Sequence, residues 1–301
     1  MITEILKETG SAKIKDDKEL FIGLKTYLKG EKLDLINKDF WNTREGNKSA
    51  IQQKYPKLIQ QLSFYYSILA DVNGFIKESQ ANNKNKDSIK NKIIVCTKLY
   101  NKSLQALADM YGLLENGSVM NTFLLWRTIY ENYVITKYII NGAEEEAKLF
   151  NEYETVQKNK LLGIKLTKEE KAKFAKKFGR DYDSNEFCWA KNLRGKRIFI
   201  KLARSVKEKK FYKYYLLSNY ISRTSVFSVN NGIVYNEKAA NKTTVYSPDE
   251  VTKSLNVFIA VISEYAGIMI ESYIDDKKQK DTLKKIVTFY GKEIDRKWKK
   301  Y

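Results

Sequence analysis

Apolar side chains in this chain recur at steps of three and four over long stretches, and proline occurs only twice to interrupt them. An α-helix turns once per 3.6 residues, so this spacing lines the side chains along one stripe, whereas a half-buried strand would alternate every second residue. From residue 88 to 115 the stripe is Ile89, Ile93, Cys96, Tyr100, Leu104, Leu107, Tyr111 and Leu114. Val251, Leu255, Phe258, Ile262, Tyr265, Met269 and Tyr273 repeat it, and Leu283, Ile286, Tyr290, Ile294 and Trp298 make 280–300 amphipathic. Residues 55–79 and 144–162 also read as helices. Two starts carry capping signals: Ser247 with Pro248 and Glu250, and Thr167 with Glu170 ahead of a short Lys-rich helix. The expected fold class is all-α, a multi-helix bundle of at least six substantial helices.

One interval departs from this pattern. Residues 225–246 are rich in Val, Tyr, Thr and Asn, and Asn231-Gly232 is the favoured centre of a tight hairpin turn. A small β-hairpin or ordered loop is expected there. The polar run QANNKNKD at 80–87 reads as a connecting loop. Periodicity weakens over residues 1–50, which are expected to be an N-terminal extension packed on the bundle, with 51–301 a single helical domain.

Composition narrows the chemistry. There is no histidine, the side chain whose ordinary pKa lies nearest neutrality and the commonest general base and zinc ligand. Serine and cysteine hydrolases with a histidine base, His-containing zinc sites and ribonucleases built on an Arg-x4-6-His motif are excluded. Cys96 and Cys188 are the two cysteines, too few for a disulfide framework or a Cys-rich metal site and consistent with a reducing cytoplasm. The N-terminal residues lack a basic segment followed by an apolar run, so no secretory signal is expected. The longest apolar segment, 119–140, contains Arg127, Glu131 and Lys137 and reads as a buried core helix. A cytoplasmic protein with no membrane partner is the expectation.

Phosphate-cradling GxxxxGK and GxGxxG patterns are both missing, so nucleotide hydrolysis and dinucleotide binding have no support. Asp249 with Asp276-Lys277-Lys278 resembles a carboxylate nuclease motif, but that motif needs a strand-borne carboxylate, and Asp249 falls in the first turn of an expected helix. Asp181, Asp183 and Glu144 to Glu146 are ordinary solvated acids on this reading. No metal site and no cofactor is expected.

The formal charge of +19 predicts salt-sensitive attraction to polyanions. The charge clusters most over 191–213, where Lys191, Arg194, Lys196, Arg197, Lys201, Arg204, Lys207, Lys209, Lys210 and Lys213 are accompanied by one acid, Glu208. Phe199, Phe211, Tyr212, Tyr214 and Tyr215 are interleaved, as where phosphates are neutralised and bases stack, although a solvated basic face beside an aromatic core has the same pattern. The candidate nucleic-acid-binding residues are Arg194, Lys196, Arg197, Lys201, Arg204, Lys209, Lys210 and Lys213. A second basic face, from Lys284 to Lys300, reads as an ordinary solvated surface.

Arg127 and Glu131 are four apart and share a helix face amid apolar neighbours. They read either as an internal salt bridge or as the charged pair of a cleft. Tyr130 and Tyr133 beside them read as core aromatics.

Four segments in order, FLLWRTIYENYVITKYII at 123–140, EEEAKLFNEYETVQKNKLL at 144–162, WAKNLRGK at 189–196 and YKYYLLSNYIS at 212–222, resemble the bacterial domain-of-unknown-function family 5677. The resemblance covers roughly residues 90–270 and implies an all-helical fold. The family pattern has an arginine and a glutamate four apart, matched by Arg127 and Glu131. Where that pattern places a histidine after a leucine-serine pair, this chain has Ser222.

Two function classes follow. In one, the chain is a helical protein that binds RNA or DNA, or acts in a bacterial stress or phage-defence complex without classical catalysis. In the other, it is a histidine-independent, RNase-like enzyme in which Arg127, Glu131, Ser222 and Arg223 share a cleft. A purely structural role, with a second copy or another protein as partner, is the third option. The sequence leaves open whether any chemistry occurs.

Overall fold

The computed structural model describes residues 58–82, 86–115, 119–193, 198–221 and 248–298, together with the isolated helical positions 45, 49 and 53. The chain divides into two units, Met1–Tyr55 and Pro56–Tyr301, and every element named below belongs to the second. Its helices are α1 (Leu58–Asn82), α2 (Lys90–Glu115), α3 (Val119–Asn141), α4 (Glu144–Leu161), α5 (Lys168–Phe178), α6 (Phe199–Ser205), α7 (Tyr212–Ile221), α8 (Pro248–Tyr273) and α9 (Lys277–Trp298). A single 3-10 turn, Lys86–Ile89, precedes α2. No strand occurs among the described residues; the interval where a β-hairpin or ordered loop is expected, 225–246, lies outside them.

The centre is a four-helix layer in which α1 packs on α2, α2 on α3, α3 on α8 and α8 on α1. Side-chain contacts fix the directions. Tyr66 meets Tyr111 and the Tyr100 hydroxyl donates to the Leu69 carbonyl (3.0 Å), so α1 and α2 are antiparallel. Asn132 donates to Ser103 and Lys92 to the Ile140 carbonyl, so α2 and α3 are antiparallel too. The α3–α8 pair runs parallel, with the Trp126 indole N–H on the Val257 carbonyl and Tyr133 beside Glu264. Two parallel neighbours need a long crossover, and residues 142–247, which carry α4 to α7, supply it. Helix α4 lies on α2 and α3, α6 and α7 lie on α3, and α9 runs antiparallel along α8 and α1.

The apolar stripes are buried where the spacing predicts. Cys96, Tyr100, Leu104 and Leu107 of α2 face Leu255, Phe258, Ile262, Tyr265 and Met269 of α8 across a closed core. Burying a large apolar side chain contributes about 1.5–3 kcal/mol, so these five α8 residues alone contribute on the order of 10 kcal/mol before chain entropy is counted. Among the described residues, the one helical stretch long and apolar enough to cross a membrane is Leu255–Tyr273, not the 119–140 segment the sequence singles out. Its four helical neighbours account for that composition.

Two expectations shift in detail. On α9 the inward stripe is Leu283, Val287, Gly291 and Ile294, while Ile286 is exposed. Gly291 lets α9 approach α8 closely, since a Cβ there would lie 2.8 Å from Ser263 Oγ and 3.3 Å from Tyr65 Oη. The polar run at 80–87 is not all loop: Gln80, in the last turn of α1, is buried and donates Nε2–H to the Tyr273 carbonyl (2.8 Å). The Thr167 cap forms as expected, accepting from Glu170 N–H (3.2 Å) while Glu170 Oε2 accepts from Thr167 N–H (2.8 Å). Ser247, the other expected cap, lies outside the described residues.

Candidate functional site

The basic segment docks on α3 through its one acid. After α6 the chain turns through Lys207, whose φ of 56° lies in the left-handed region, and this turn points the Glu208 side chain inward. Glu208 is 5 % exposed. Its Oε1 accepts from the backbone N–H of Lys210 (3.1 Å) and Phe211 (3.4 Å), and its Oε2 accepts from the Tyr133 hydroxyl (3.2 Å) and Lys137 Nζ (3.5 Å). A buried carboxylate holding four donors is a tie between segments. Burial, reinforced by the charges of Glu208 and Glu264, pushes the Tyr133 phenol well above its ordinary pKa, so it stays protonated and can donate.

With that acid turned in, the outer side of the segment carries cations. Arg204, Lys207, Lys209, Lys210 and Lys213 are exposed and Lys201 is half-buried. Lys210 is partly withdrawn because its ammonium pairs with Glu264. Along α7 the exposed positions Lys213, Leu216 and Tyr220 form an outer stripe, while Tyr215 and Ser218, with Phe211 just before the helix, face in. Arg194, Lys196 and Arg197 lie outside the described residues.

Of the five interleaved aromatics, three turn into the core, while Tyr212 and Tyr214 stay half-buried. Phe199, Phe211 and Tyr215 are buried around Tyr130, with ring centroids 5.7, 6.3 and 5.7 Å from it, and Tyr130 stacks on Trp126 at 5.2 Å. Helical periodicity explains the difference. On a helix, residues close in sequence point to different faces, so Tyr215 turns inward while Lys213 and Leu216 stay exposed. Tyr220 is the aromatic of this segment that is more than half exposed.

Arg127 and Glu131 meet on α3, with Nε 2.8 Å from Oε1 and each side chain about one-third exposed. The Arg127 guanidinium lies 5.4 Å from the Tyr215 ring centroid, so the pair and the ring join α3 to α7. Burial lowers the Arg127 pKa, but the hydrogen bond and charge of Glu131, with Tyr215 adding, raise it above the ordinary value overall. Burial also raises Tyr215, and Glu131 adds to that shift while Arg127 opposes it. This geometry matches the salt-bridge reading. Neither residue lines the cavities at Phe178–Ile198, between α8 and α9, or between α1 and α9. The structure therefore brings Arg127 and Glu131 together, while Ser222 and Arg223 lie outside the described residues.

The remaining acids have local work. Glu144 accepts from the N–H groups of Asn91 (2.5 Å) and Lys92 (3.3 Å), neutralising the positive end of α2. Buried Glu146 accepts from Asn192 N–H (3.3 Å), and Asp276 Oδ1 accepts from Gln279 N–H (2.6 Å) at the start of α9. Among the described residues no three Cys, Asp or Glu side chains gather where one metal ion could be held.

The roles of Tyr133, Glu208 and Glu264 are not evident in the periodicity. A signal for Glu208 exists all the same: a lone acid in a strongly basic run is conspicuous, and here it is the residue that folds inward.

Residues 93–226 match the profile of a family of unknown function, DUF5677. All four segments whose order suggested that family lie within this stretch, which stops short of α8, so this central part of the chain resembles the family. No curated protein and no solved structure matches the chain.

Proposed function

We propose that this protein binds the phosphate backbone of RNA or DNA through the outer face of α6, α7 and the turn between them, without performing chemistry on it. The observation that supports this reading most is the inward turn of Glu208. It removes the segment's one negative charge from the surface and leaves Lys201, Arg204, Lys207, Lys209 and Lys213 facing solvent to varying degrees. Burial of Phe199, Phe211 and Tyr215 argues for contacts to phosphates more than to bases, and hence for weak sequence preference. In a bacterial stress or phage-defence complex, such a surface would hold nucleic acid while any cutting fell to a partner.

Filter binding of a single-stranded RNA across a salt series tests the proposal. Each phosphate contacted on a single strand contributes about −0.7 to the slope of log K against log salt, so four to five contacts give a slope of about −3. Affinity would then fall roughly 60-fold between 50 and 200 mM salt. The triple variant Arg204→Gln, Lys209→Gln, Lys213→Gln should reduce the slope by about 2. The exposed α5 lysines Lys171, Lys173 and Lys176, changed the same way, serve as control. No retention at low salt, or equal losses in both variants, would remove this reading.

A further inference from the structure

The connection between α4 and α5 presents apolar side chains to solvent where a soluble surface would present polar ones. Leu161 is 85 % exposed, Leu162 70 % and Ile164 51 %. These residues follow one another around a closed turn. Gly163 takes φ +64°, its N–H donates to the Lys160 carbonyl (3.3 Å), and Ile164 N–H donates to the Asn159 carbonyl (2.9 Å). This is a helix C-terminus finished by the Schellman pattern, which usually folds the residue after glycine back onto an apolar partner on the helix. Here the position it would meet is Asn159, and Ile164 stays in solvent. The Thr167–Glu170 capping box fixes the other side of the turn, so the three side chains are held out by a backbone pinned at both ends. A Cβ added at Gly163 would meet nothing within 4 Å, as expected at an apex.

Along the chain, the charge that flanks the apex has one sign. Between Val156 and Lys168 the chain carries Lys158, Lys160, Lys165 and Lys168 and no acid. Lys158 pairs with Glu154 one turn back, and Lys160 donates to the Asp183 carbonyl. The nearest acids on the other side are Glu169 and Glu170, the second of them committed to the cap.

We infer that this turn is a membrane-surface anchor: Leu161, Leu162 and Ile164 enter the acyl boundary of a bilayer while the flanking lysines contact anionic lipid headgroups. A convex apolar tip with a lysine collar fits a lipid surface better than a protein groove, because lysine is depleted at the core of protein interfaces and favoured at anionic membranes. The anchor lies on the surface and spans nothing; it leaves the argument against a transmembrane segment at 119–140 in place but replaces the expectation of no membrane partner. It shares no residue with the α6–α7 face.

Co-sedimentation of the full chain with vesicles of phosphatidylcholine, with and without phosphatidylserine, tests the inference. Binding should require phosphatidylserine. Removing one lysine charge at Lys165 or Lys168 by substitution with Gln should weaken binding by about fivefold. The variant Leu161→Ser, Leu162→Ser, Ile164→Ser should lose more than tenfold while keeping its thermal melt, since these side chains support no core. RNA retention by that variant should be unchanged, which separates this anchor from the nucleic-acid face. Three results would overturn it: no binding to phosphatidylserine vesicles, binding by the triple-serine variant equal to the parent, or a tip-dependent self-association with no vesicle binding.

Discussion

Replacing Glu208 by alanine tests how the basic segment is held on the bundle. The substitution removes the acceptor for four donors, and the four are not equivalent. The Tyr133 hydroxyl retains Glu264 Oε2 at 3.3 Å, and Lys137, about a quarter exposed, can be rehydrated. The N–H of Lys210 is near solvent, but that of Phe211 is in a buried hydrogen bond and would be left without an acceptor. A buried donor stranded in this way costs about 1–3 kcal/mol, and loss of the charge-assisted bonds adds a comparable amount. Allowing for partial rehydration, Glu208→Ala should destabilise the fold by about 3 kcal/mol. For a unit of this size that corresponds to a fall in Tm of roughly 6–12 °C by differential scanning calorimetry. Glu208→Gln keeps an oxygen for the backbone donors and should cost about half as much. The control is Asp109→Ala on the exposed side of α2, which raises the net charge equally and should stay within about 0.5 kcal/mol of the parent. If Glu208→Ala melts with Asp109→Ala, the carboxylate is not the tie described here.

Two further outcomes follow from the packing. Gly291→Ala places a methyl group against Ser263 Oγ and Tyr65 Oη where α9 crosses α8, and should lower stability by about 1–3 kcal/mol in chemical denaturation, whereas the same change at Gly267, with nothing within 4 Å, should not be destabilising. Burial pushes the Cys96 thiol up to about 12, and Cys188 is also buried with its S–H directed at the Asp181 carbonyl. Neither should react with a thiol reagent at neutral pH until the protein unfolds, and a rapidly titrating thiol in the native state would contradict the packing.

The helices of the core were legible because their cause is local. Stripes such as Cys96–Tyr100–Leu104–Leu107 and Phe258–Ile262–Tyr265–Met269 carry the period of the helix, and their burial required only that some neighbour exist. The Thr167–Glu170 cap was readable for the same reason, since both partners lie within one turn. The candidate site was less legible. Arg127 and Glu131 interact as their spacing implies, but their contact with Tyr215 spans almost ninety residues and depends on where α7 settles on α3. The aromatics of 199–215 looked available in linear order, and the fold turned Phe199, Phe211 and Tyr215 into the core while Tyr212 and Tyr214 stayed half-buried.

Composition and period thus determined by themselves that the chain is helical, strongly cationic and without a histidine-based reaction centre, because those properties depend on residue identity and on spacing within a few turns. Tertiary structure alone decided that α3 and α8 run parallel, that Glu208 turns inward beneath a cationic surface, and that Leu161, Leu162 and Ile164 remain uncovered. Each of these depends on which distant segment comes to lie alongside, and burial, not local propensity, decides that.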